Sequence, residues 1–138
     1  MKNVIWLTLL AAAIGFAQQQ GTAPNTKAQV LTRGQLDKLL ATPDRVLLID
    51  VRRPDEISSI GGFPVYLSIQ AGDLDKHLSE IPKDRLIVLV SNHANRASRA
   101  ADLLTSKGFK VAGAVGAQTY ESEGGKLKKI APPKPAAN

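Results

Sequence analysis

The chain has 138 residues, 43% of them hydrophobic and 22% charged, with a formal net charge of +6 and no cysteine. That length is one domain's worth, and the balance excludes wholesale disorder. The missing cysteine excludes disulfides, thiolate metal sites and thiol nucleophiles, so stability has to come from a core of Leu, Val, Ile and Ala.

The first 17 residues have the layout of a secretory signal. Lys2 gives a positive start, residues 4–13 are apolar apart from Thr8, and Gly15-Phe16-Ala17 supplies small residues before a cut at Gln18. The apolar run is shorter than the ~20 residues a spanning helix needs. Export to a periplasm or the extracellular space, with no membrane anchor after cleavage, is the expectation. The bland alternative is a buried N-terminal helix. Residues 18–27 are polar and contain Gly and Pro, as a flexible lead-in does.

A folded domain is expected over residues 28–127. Thr32 and Gln35 have the spacing of a capping box, followed by Leu36, Leu39 and Leu40 on one face of a short helix. Val46-Leu47-Leu48-Ile49 is an unbroken apolar run that ends at Asp50, and Leu86 to Val90 is a second one that ends at Ser91. Such runs mark strands buried on both faces. Between them Leu74, Leu78 and Ile81 mark a helix stopped by Pro82. A strong helix is expected over 96–107 with Gly108 at its end, and a further strand over 109–115. Alternating strands and helices predict an α/β fold with a mostly parallel sheet covered on both faces, whose ligands collect at the carboxyl ends of the strands. Residues 128–138 form a basic, Pro-rich tail without aromatics, read as solvated and without a specific nucleic-acid partner.

Residues 91–96, Ser91-Asn92-His93-Ala94-Asn95-Arg96, run from a strand end straight into a helix. A tight loop there points backbone N–H groups at one centre, where the helix dipole adds positive charge. The nest suits a small oxyanion such as sulfate, thiosulfate or phosphate, with Arg96 adding its guanidinium or bracing the loop. The alternative is an ordinary connection. Ser91 and His93 are too close along one tight turn to meet as nucleophile and base, and no third group is evident. His93 reads as a loop side chain that is solvated or donates to the anion, and His77 as an exposed helix residue. Neither has acidic or histidine partners at ligand spacing, so neither a metal nor another cofactor is expected.

Asp50-Val51-Arg52-Arg53-Pro54-Asp55-Glu56, then the strand, the Ser91 loop, the Arg- and Ala-rich helix and Gly108-Phe109 in this order, resemble the rhodanese (thiosulfate sulfurtransferase) family over residues 30–127. The resemblance implies a five-stranded, mostly parallel sheet. It implies that Asp50 hydrogen-bonds across toward the anion loop and that Arg52 and Glu56 form an ion pair closing their turn. It also implies a catalytic cysteine at the first loop position, where this chain has Ser91. A thiol of ordinary pKa ~8.5 can be drawn toward neutrality at a helix N-terminus, whereas an alcohol is far less acidic. The family's Gly-His-Ile-Pro stretch is also altered, to Ile60-Gly61-Gly62-Phe63-Pro64. The expectation is an exported, monomeric pseudoenzyme with no catalytic residue. It would bind a small oxyanion or an unidentified partner protein, and a weak or altered sulfurtransferase is the alternative.

Overall fold

The computed structural model describes residues 25–131, so the expected signal segment and most of the lead-in lie outside the described residues. Four helices and four strands are joined by a 3₁₀ helix. In chain order they are α1 (Arg33–Leu40), β1 (Val46–Asp50), α2 (Pro54–Ile60), β2 (Leu67–Ser68), the 3₁₀ helix (Ala71–Glu80), β3 (Leu86–Ser91), α3 (Asn95–Ser106), β4 (Val111–Gly116) and α4 (Ala117–Ser122). The capping box of α1 forms as its spacing dictates. Thr32 Oγ1 accepts from Gln35 N at 3.3 Å, and Gln35 Oε1 accepts from Thr32 N at 2.9 Å.

All strand pairs are parallel, in the order β2-β1-β3-β4. Side chains alternate across the two central strands and so build two cores. Ile49, Ile87 and Leu89 pack with Leu74 of the 3₁₀ helix and with Ala97, Ala101 and Leu104 of α3. Leu48, Val88 and Val90 pack on the other face with Leu36 of α1 and Ala117 and Tyr120 of α4. The α/β sandwich is therefore as expected.

The sheet has four strands where five were expected. A fifth segment does approach β4, but only as a single parallel bridge between Val30 and Ala114. Leu31 N donates to Ala114 O and Ala114 N to Gln29 O, each at 2.8 Å. Gly113 permits this contact, because a Cβ there would lie 2.4 Å from the Gln29 carbonyl oxygen. The chain turns into α1 directly after Leu31, so the pairing ends there.

Lys128, expected as the first residue of the tail, exchanges two backbone hydrogen bonds with Gly62, at 2.8 and 2.9 Å. Lys129 Nζ adds bonds to the Ser59 and Ile60 carbonyls. No helix among the described residues is long and apolar enough to cross a membrane.

Candidate anion-binding loop

The register of the sheet aligns Asp50 with Val90 and Ser91 with Gly116. The carboxyl ends of β1, β3 and β4 thus converge, and the Ser91 loop leaves from their centre. Ser91 is 1% exposed. Three residues later Ala94 holds the N-cap position of α3 in the left-handed region, at φ 67° and ψ −18°. An alanine has no side chain with which to cap a helix. The Ser91 hydroxyl does that work instead, accepting from Ala97 N at 3.1 Å. Ser98 N turns back to the Ala94 carbonyl at 2.7 Å. The N–H groups of Asn95 and Arg96, in the first turn, have no acceptor within the helix.

The β4–α4 junction closes the other side. Gln118 N donates to the Asn92 carbonyl at 3.1 Å, and a Cβ on Gly116 would lie 3.0 Å from that same oxygen. The loop is seated against bare backbone.

Beneath it runs a continuous chain of side-chain hydrogen bonds. Asp50, fully buried, accepts from Arg52 N, Nε and Nη2 at 3.1, 2.9 and 2.7 Å. Arg52, also fully buried, donates further to the Gly61 carbonyl and from Nη1 to Asn92 Oδ1 at 3.2 Å. Asn92 Nδ2 then donates to Glu56 Oε1 at 2.9 Å. Glu56 receives both terminal nitrogens of Arg96, at 2.6 and 2.8 Å, and the backbone N–H of Arg53 at 3.0 Å. The Arg96 fork, with the Arg53 N–H behind it, holds the Glu56 carboxyl down at about 2. Glu56 in turn raises the pKa of Arg96.

This arrangement corrects the pairing expected from the resemblance. Arg52 does not meet Glu56. Arg52 precedes α2 in extended chain and turns inward to Asp50, while Glu56, in the first turn of α2, reaches out to Arg96. Asp50 acts on the loop through Arg52 rather than directly. Arg96 braces the loop, with both ends of its guanidinium committed to Glu56.

His93 and Asn95 are exposed at the rim. His77, expected without an acidic partner, lies 2.8 Å from Glu80 Oε1, three residues along the same helix. Among the described residues no group of three or more His, Asp or Glu side chains is placed to hold a metal ion. The role of Gly116 and Gln118 in seating the loop was not read from the sequence.

Chemically, the two carboxylates offset the two guanidiniums beneath the loop. An anion at its mouth would meet backbone N–H groups at the positive end of a twelve-residue helix. The one hydrogen bond that Ser91 Oγ makes among the described residues is as an acceptor, with no base to take its proton.

A family model described as a rhodanese-like domain matches residues 32–125. A sulfurtransferase of Allochromatium vinosum is 35% identical over 74 residues, which cover 54% of this chain and 68% of that protein. Among solved structures, a rhodanese-related protein from Thermoplasma volcanium superposes with a TM-score of 0.65 at 20% identity, covering 74% of this chain and 99% of that one. A polysulfide-sulfur transferase homodimer from Wolinella succinogenes does so with a TM-score of 0.60 at 24% identity, covering 80% and 85%. At these identities the two structures show a shared fold.

Proposed function

The chain belongs to the rhodanese-like domain family, and from that premise we propose that it is an exported, non-catalytic binding module. Its Ser91 loop holds a small oxyanion, either free sulfate, thiosulfate or phosphate or the equivalent group on a partner protein. The observation that carries this reading is the hydrogen bond from Ala97 N to Ser91 Oγ. The atom at the nucleophile's position is used as a helix cap inside an otherwise braced loop.

Sulfur transfer by way of a persulfide needs a thiolate. Its sulfur attacks the outer sulfur of thiosulfate, an S–S bond forms, and sulfite leaves with the electron pair of the broken bond. This chain has no cysteine to be that thiolate, and a serine hydroxyl forms no equivalent store. Without a covalent bond the loop binds weakly. A few charge-assisted hydrogen bonds supply about 4 kcal/mol, a Kd near ~1 mM. Residues 1–17 support export, and the module acts as a monomer.

The test is thiosulfate-to-cyanide sulfur transfer by the native protein and by Ser91→Cys, with calorimetry of both against sulfate, phosphate and thiosulfate at tens of millimolar. Turnover by the Cys variant alone, with binding heat from the native protein, is the expected result. Turnover by the native protein would overturn the non-catalytic reading. No heat from sulfate, phosphate or thiosulfate would remove the anion from it.

A further inference from the structure

A second concavity lies away from the Ser91 loop, beside residues 63–65. β2 pairs with only two residues of β1, Ile49 and Asp50. Continued backwards, the same pairing would place residues 64–66 beside Val46–Leu48. The chain instead bends out of the strand conformation at Pro64 and Val65. A cavity of about 280 Å³ opens in the gap. It touches Val46, Leu47 and Leu48 in succession, residues whose side chains alternate between the two faces, so it lies against the strand's edge rather than under one face. Leu40, Pro43 and Phe63 complete an apolar wall, and Arg85 is the single charged residue of the lining.

Two features set this cavity apart from ordinary packing. Val65, at its rim, is 81% exposed and is the exposed large hydrophobic residue of the described chain. Among the described residues no carboxylate lies within ion-pair distance of Arg85, Arg45 or Arg99, whereas Arg33, Arg52, Arg53 and Arg96 each have one, and of the unpaired three only Arg85 lines this cavity. An apolar pocket near ~300 Å³ with one placed polar group is the usual form of a small-ligand site.

We infer that the β1-edge cavity binds a small amphiphilic anion, an apolar chain or ring carrying one carboxylate. The apolar body fills the space beside Phe63 and Val46, and the carboxylate meets the Arg85 guanidinium at the mouth. Charge complementarity selects this ligand class. An uncharged hydrocarbon leaves the cation unused, and a cationic amphiphile is repelled by it.

Calorimetry of the full chain with sodium decanoate tests the site, with decylamine and decanol as controls and amide chemical shifts to locate the ligand. Decanoate should bind with a submillimolar Kd and shift the amides of residues 46–48 and 63–65. Arg85→Ala should weaken decanoate about tenfold and leave decanol unchanged. Val65→Asp, a substitution at an exposed position that keeps the fold, should weaken decanoate as well. Equal binding of decanoate and decanol, indifference to Arg85→Ala, or shifts confined to other residues would overturn the proposal. So would an absence of binding. Thiosulfate binding at the Ser91 loop is unaffected by any of these outcomes.

Discussion

Burial decides what Asp50 and Arg52 can do. Both side chains are out of water, and among the described residues each has the other as its ion-pair partner. Removing one partner of such a pair leaves a stranded charge, at a cost of about 3–5 kcal/mol. Asp50→Ala should therefore lower stability by that order in denaturant unfolding. Arg53→Ala, one position past Arg52 but on the surface, should cost far less. Near-equal losses would show that the buried pair has been misassigned. The sequence made Asp50 legible, as the polar end of an apolar run, but not its partner. The resemblance implied a pair between Arg52 and Glu56, but Arg52 stands before α2 begins and turns inward to Asp50. Arg96, the true partner of Glu56, lies 40 residues on, and no local pattern announces a contact of that range.

At the scale of elements, α2 and α3 are coupled through one carboxylate. Glu56 has an ordinary pKa of 4.5 and is held at about 2 in the fold, chiefly by hydrogen bonds from Arg96. Its folded value is depressed, so its stabilisation is complete above the unfolded pKa and is lost as pH falls from about 4.5 toward 2. The loss amounts to on the order of 3 kcal/mol. Unfolding free energies measured from pH 6 to pH 2 should fall accordingly, and Glu56→Gln should flatten that part of the profile while costing stability at neutral pH. An unchanged profile in Glu56→Gln would show that the pair contributes nothing. α3 itself was legible to within one residue at each end, because its Ala and Leu spacing is periodic. Its cap was not, because an alanine at the N-cap hides the fact that a serine six residues from Ala97 supplies the acceptor.

Across the whole molecule, the sheet closes at the β4 edge by a contact that tolerates no side chain. A Cβ at Gly113, where φ is +156°, would also lie 3.1 Å from Leu31. Gly113→Ala should cost about 2 kcal/mol and weaken amide protection at Leu31 and Ala114. Gly34→Ala, in α1 with open space around it, should instead raise the melting temperature through helix propensity, by up to about 1 kcal/mol. A Gly113→Ala protein as stable as native would remove the bridge from the account of the fold. The layered α/β architecture was legible because two unbroken apolar strands have only one economical way of being covered. The fifth strand was expected from family resemblance alone, and Val30 keeps one bridge of it. The β1-edge cavity gave no sequence signal, since no local pattern announces that β2 stops after two residues.

The hydrogen-bonded path from Asp50 through Arg52, Asn92 and Glu56 to Arg96 also bears on how the molecule comes apart. Binding loops commonly belong to the least protected part of a protein and fluctuate open on their own. Here an opening of residues 92–96 strips Arg52 of an acceptor in a dry interior and releases α2 from α3. Such an opening costs more than that of a loop held by its own backbone alone. The loop is thereby tied to the core through Arg52 and to α2 through Glu56.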